Sequence, residues 1–258
     1  MKNQYFGDIN DYRKYGLLRI LCGGKKGSVA ICWMLSGEGN EDGSKGQKVG
    51  YLSKPEAWDH FDHKLFYALQ EAVLVYGDRN VTRAEADDVL SPESFFYFKA
   101  ELPRDSGKRR DYFRDFLECA VTRNCDLVFF DPDTGLKIET PPPERARQLE
   151  FLYLDELKDA LEAELSVLII QFLRFNEAKF VEDRARQIFR LLNIEEITCF
   201  IAPKVVFFLL PQGKHSRTLR ERGDRVEALW HPEIRVKRYS REVARAVEAP
   251  SARRHKRT

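Results

Sequence analysis

Three short runs, apolar on both faces, constrain what this chain can fold into more than anything else in its sequence. They are SVAICWML at 28–35, DLVFF at 126–130 and SVLIIQF at 166–172. Runs of four to eight residues rich in β-branched and aromatic side chains read as strands buried from both sides, as in parallel sheets. Helical periodicity lies between and around them. Residues 8–21 form a helix with Asp8 as N-cap, a stripe of Ile9, Tyr12, Leu17, Ile20 and Leu21, and a stop at Gly23-Gly24. Further helices are predicted over 58–76, 109–122, 155–164 and 177–192, and further strands over 48–53 (KVGYLS) and 94–99 (SFFYFK). The runs at 197–201 and 205–210 are separated only by Ala202-Pro203-Lys204, a link suited to antiparallel neighbours.

This alternation predicts an α/β fold: a mostly parallel, Rossmann-like sheet with helices on both faces and a terminal antiparallel hairpin. With 258 residues, 43% of them hydrophobic, the chain can build one substantial core. A single domain is expected over 1–243, with a basic, disordered tail over 244–258. The five cysteines are odd in number and contain no C-x-x-C pair, which points to a reducing compartment without a disulfide framework or zinc ribbon. No apolar signal segment opens the chain and no apolar run is long enough for a bilayer, so a cytoplasmic protein without a membrane partner is expected. The formal net charge is only +2, but cations gather late: Arg235, Lys237, Arg238, Arg241, Arg245, Arg253, Arg254, Lys256 and Arg257. The tail is expected to bind nucleic-acid phosphates; a merely solvated end is the alternative.

In such sheets ligands bind beyond the carboxyl ends of the strands. Three segments are expected at that edge: the loop after Leu35, the turn Asp131-Pro132-Asp133-Thr134-Gly135, and the turn from Gln171 to Arg174. Asp131 and Asp133 are the candidate catalytic pair, able to work as acid and base or to hold a divalent cation. Asp, Pro and Gly are also ordinary turn residues. The loop SGEGNEDGSKGQ at 36–47 is neither G-x-G-x-x-G nor a Walker loop, yet its glycines permit close approach of a ligand, and Glu38, Asn40 and Asp42 could bond ribose hydroxyls or a metal. Gln171 and Arg174 are candidate substrate contacts, Arg174 as a bidentate clamp for phosphate or carboxylate. Lys14 shares a helix face with Asp11 at a three-residue spacing, which also makes a simple helical pair. His60 and His63 could share a metal, although no third ligand is evident nearby.

The layout from Asp126 to Leu210 resembles class I S-adenosylmethionine-dependent methyltransferases: strand, Asp131-Pro132-Asp133-Thr134, strand, helix, antiparallel pair. Members acting on the exocyclic amine of adenine carry Asp/Asn-Pro-Pro-Tyr/Phe at this turn, where the first residue accepts from the target amine and the aromatic stacks on the flipped base. Asp131 and Pro132 match the first two positions; Asp133 and Thr134 replace the second proline and the aromatic. The opening QYFGDINDYRKYGLLR is similar to the cofactor-side helix of the ribosomal-RNA adenine methyltransferases of that group. Together with FFDPDTGL it also resembles a family of uncharacterised bacterial and prophage proteins. The resemblance implies S-adenosylmethionine as cofactor against Lys14 and the 36–47 loop, with Asp131 orienting an acceptor amine on nucleic acid. It also carries a departure: KVGYLS, as a second strand, would follow that loop with no helix between.

Two other functions fit the same residues. One is a metal-dependent phosphoesterase or nuclease, with Mg²⁺ or Mn²⁺ on Asp131 and Asp133 and with Arg174 on the phosphate. The other is a non-catalytic module that binds nucleic acid or protein.

Overall fold

The computed structural model describes residues 3–24, 28–36, 48–86, 88–139, 148–173 and 177–241. Seven strands form one sheet: β1 (Val29–Cys32), β2 (Phe95–Phe98), β3 (Leu127–Phe130), β6 (Ser166–Phe172), β7 (Glu196–Ala202), β8 (Val205–Leu210) and β9 (Arg235–Ser240). Their order is β2-β1-β3-β6-β8-β7-β9. The pairings β2–β1, β1–β3 and β3–β6 are parallel, and those of β8 with β6 and β7, and of β9 with β7, are antiparallel. Five strands therefore share one direction and β8 and β9 oppose it. The short strands β4 (Gly135–Lys137) and β5 (Phe151–Tyr153) make a separate parallel pair.

Period-two alternation divides the sheet between two cores. Ile31, Phe129, Ile170 and Phe207 face helices α1 (Ile9–Cys22), α3 (His63–Gln70) and α7 (Ser216–Trp230). Cys32, Phe130, Ile169 and Phe208 face α4 (Ser106–Thr122), α5 (Leu154–Glu162) and α6 (Glu177–Leu191). The α/β class, the helices on both faces and the antiparallel run 196–210 are as the sequence predicts. The hairpin does not end the sheet, because β8 inserts between β6 and β7 and β9 adds the outer edge.

Two expectations are overturned. KVGYLS is not a strand: residues Gly50–Ser53 form a 3-10 helix followed by the short helix α2 (Pro55–Trp58). Tyr51 and Leu52 enter the core from this turn, so the apolar residues are buried without a strand's period-two alternation. The partner of β1 on that side is β2, and the crossover from Cys32 to Phe95 carries α2 and α3, so helices do lie between. The predicted helix over 58–76 is likewise broken, because Asp62 accepts from the Leu65 amide and caps a new start.

Helix α1 is enclosed on nearly all sides, with Ile9 through Leu18 all buried. Asp8 caps it by accepting from the amides of Asn10 and Asp11, and Gly23, left-handed at φ 62°, ends it. At Gly16 the Trp230 ring lies so close that a Cβ would stand 2.0 Å from it. Replacing glycine by alanine in a helix ordinarily gains about 1 kcal/mol. Here Gly16→Ala is expected to destabilise by about 1–3 kcal/mol through overpacking, measured by urea denaturation.

Candidate functional site

Parallel strands carry their carboxyl ends to one edge, and α1 runs back against them so that its N-terminus reaches the same edge. The chain leaves β1 toward β2 on one side, while β3 lies on the other. The ends of β1 and β3 therefore flank the switch point, the place where open α/β sheets bind ligands. Asp131 is the first residue after β3, and its amide donates to the Cys32 carbonyl at the end of β1 (3.1 Å).

Asp131 is not open to solvent. It is 4% exposed, and Lys14, 2% exposed, meets it from α1. The Lys14 ammonium donates to Asp131 Oδ2 at 2.9 Å and lies 2.7 Å from Asp11 Oδ1. It also stands 5.0 Å from the Tyr15 ring centre and 5.4 Å from that of Trp33, where the ring faces attract a cation. The second oxygen of Asp11 accepts from the Tyr15 hydroxyl (3.0 Å) and the Gly7 amide (3.1 Å). The predicted pair of Lys14 with Asp11 thus exists, but inside the protein and shared with a strand end.

Burial raises the pKa of each carboxyl in this cluster, Asp8, Asp11 and Asp131, against the opposing pull of Lys14. Burial alone would push Lys14 down, but Asp11 and Asp131 together hold its pKa above the ordinary lysine value. Tyr15 is driven well up by burial, then by Asp11, and stays a neutral phenol. Lys48 acts in the same sense as Lys14 on Asp8. The helix N-terminus adds to this at Asp8, through two amide donors and the helix dipole.

The rest of the turn is held from β6. Gln171 donates to the Thr134 and Phe172 carbonyls (2.9 and 3.1 Å) and accepts from the Leu136 amide (3.0 Å). Gly135 has φ 131°, and a Cβ there would stand 2.4 Å from the Gln171 carboxamide, so the close approach requires glycine. The side chain expected to touch substrate is spent on shaping the Asp131–Gly135 turn. Asp133 is the more open acid: it is partly exposed, and Ser36, just past β1, donates to its Oδ2 at 3.4 Å. The structure thus brings Lys14, Asp131, Asp133 and Gln171 to one edge. Glu38, Asn40, Asp42 and Arg174 lie outside the described residues.

His60 and His63 are both exposed. His63 faces Asp59 (3.3 Å) and His60 packs at a tilt against Phe61. Among the described residues, no three His, Cys, Asp or Glu side chains gather as a metal-holding set. The sequence shows no motif by which Tyr15 and Trp33 join the cluster, nor one for a second, part-buried ionic contact on α1. There Arg13 pairs with Glu233 and donates to Asn10 Oδ1 (2.9 Å). One signal was available: α1 has apolar residues all round, and a helix without a polar face is an enclosed one, so its charges must pair inside. No protein-family profile and no curated protein matches this chain.

Two measurements test the cluster. Lys14→Met strands two buried carboxyl groups and is expected to cost about 3–5 kcal/mol in denaturant unfolding at pH 7. Asp8→Asn keeps a capping side chain and removes one buried acid. A carboxyl with a raised pKa weakens the folded state above that pKa and ceases to do so once protonated. The stability of Asp8→Asn relative to the parent should therefore be highest near pH 8 and fall as pH drops through the raised Asp8 value. A pH-independent difference would contradict the assignment.

Proposed function

We propose that the protein is a methyltransferase-like enzyme that uses S-adenosylmethionine and acts on nucleic acid. The observation that carries this reading is the sheet order, with the antiparallel strand β8 inserted between β6 and β7 and an acid-bearing switch point between β1 and β3. The run from β3 through β6 and α6 to the antiparallel pair β7–β8 has the layout that the resemblance implies. The helices within the β1–β2 crossover also remove the departure that KVGYLS would have made.

S-adenosylmethionine supplies an electrophilic methyl group on a sulfonium cation. The partly exposed acid Asp133 at this edge can attract that cation. In this reading Asp131 is a positioning residue: held by Lys14, it fixes the start of the turn. Gln171 and Gly135 fix its far side. Asp133, partly exposed and steadied by Ser36, accepts a hydrogen bond from the acceptor amine and aligns it for transfer.

The test is the melting temperature of the full chain with and without S-adenosylmethionine, and separately with Mg²⁺ or Mn²⁺. A ligand at one hundred times its Kd stabilises the folded state by about 2.7 kcal/mol. S-adenosylmethionine is expected to raise the melting temperature in the parent and in Asp133→Ala. Transfer of labelled methyl to nucleic acid should fall at least about 100-fold in Asp133→Ala, the size typical of losing an aligned transition-state contact. No shift with S-adenosylmethionine in the folded protein would overturn the proposal. A shift with metal alone, lost in Asp133→Ala, would replace it with a metal-dependent phosphoesterase.

A further inference from the structure

The outer strand β9 carries exposed cations. It pairs with β7 in the register Ile201↔Arg235, Cys199↔Lys237 and Ile197↔Tyr239. Paired residues share a face, so Arg235, Lys237 and Tyr239 line the face of the sheet that α6 covers farther in. Arg235 and Lys237 are exposed, Tyr239 is half-buried, and the Lys237 ammonium lies 4.8 Å from the Tyr239 ring centre.

The acids on the surrounding elements pair with other cations, although Glu182 also acts on Lys237. Glu196 pairs with Arg220, Asp224 with Arg238, Glu182 with Arg186 and Glu233 with Arg13. Among the described residues, neither Arg235 nor Lys237 is in an ion pair. Cations on an edge strand also discourage strand-to-strand aggregation. That role needs no aromatic beside them and no particular end of the strand. Here Arg235 stands opposite Ile201, next to the exposed Pro203-Lys204 turn, on the carboxyl edge that also holds Asp131. Four strand spacings separate β9 from β3, about 19 Å in all. The chain then continues into 242–258, whose sequence adds Arg245, Arg253, Arg254, Lys256 and Arg257.

We infer that the β9 face is a binding surface for single-stranded nucleic acid, with Arg235 and Lys237 on the phosphates and Tyr239 offering a ring for base stacking. Alternating cations and an aromatic on one strand suit a flexible backbone and unpaired bases. A strand held there can lead along the edge to the Asp133 turn. The inference rests on the reading of the protein as acting on nucleic acid, but its test uses no S-adenosylmethionine. Oligonucleotide binding without cofactor binding would keep the surface and remove the transferase.

The experiment is fluorescence anisotropy of a labelled single-stranded oligonucleotide, about 20 nucleotides long to cover one or more typical site sizes, titrated with the full chain at several salt concentrations. Arg235→Ser/Lys237→Ser is compared with Lys64→Ser/Lys158→Ser, which removes the same charge from exposed positions on α3 and α5. The first pair is expected to weaken binding at least about tenfold and to flatten the salt slope by about 1.4, two phosphate contacts' worth for a single strand. The control should stay within about twofold, since bulk charge alone acts weakly once salt screens it. Tyr239→Leu should weaken binding without changing the slope. The inference is overturned if the full chain binds no oligonucleotide. It is also overturned if the β9 pair behaves like the control, or if removal of residues 242–258 abolishes binding that the β9 pair leaves intact.

Discussion

The Lys14 ammonium, held between Asp11 and Asp131, is the contact on which the arrangement of the site depends. It joins the first helix to the end of a central strand across 117 positions of sequence. In water such a contact would be worth little, but here both partners are buried, and Lys14 lies against the Tyr15 and Trp33 rings, where an unmatched charge is costly. That cost gives the contact its authority: α1 cannot rotate or slide without exposing a bare carboxylate to the core. The strand end, the turn that follows it and the helix N-terminus are consequently parts of one rigid corner.

The other side of that corner is built without charge. Gln171 matches three backbone groups with one carboxamide, and Gly135 gives it room. An amide is suited to this task because it donates and accepts at once and carries no proton whose loss would change the geometry. A second buried pair, Arg109 with Glu156, does similar work on the opposite face. It is bidentate at 2.6 and 3.0 Å, and Arg109 also donates to the Phe151 carbonyl (2.7 Å), which ties α4 to the β5–α5 junction.

Most of the layered architecture was legible in sequence because burial on both faces leaves an unmistakable mark on β1, β3 and β6. The antiparallel run was legible because three residues cannot make a parallel crossover. What failed did so for physical reasons. KVGYLS has the residue types of a strand, but its burial comes from a 3-10 turn packed over α1. Strand β9 hides because an edge strand with charged residues on one face lacks the apolar signature of its neighbours. At the site, position was legible and role was not. Asp131 and Gln171 were expected at the edge and are there, but no spacing rule shows that Lys14 would cover the first or that the second would turn inward onto the backbone. Those facts belong to tertiary contacts among distant residues.

The enclosure of α1 has a consequence for how the molecule forms. Its walls include Trp230 against Gly16 and Glu233 on Arg13, the latter pair 220 positions apart. A chain emerging from the ribosome makes α1 early and supplies these walls late. Until then the helix carries aromatic surface and unmatched charges in the open, without the contacts that make it worth burying. Closure of such distant contacts is slow, because the loop entropy is lost before the reward arrives. Partly made chains should therefore leave this helix unpacked, and the core should lock in one late step rather than grow outward from α1.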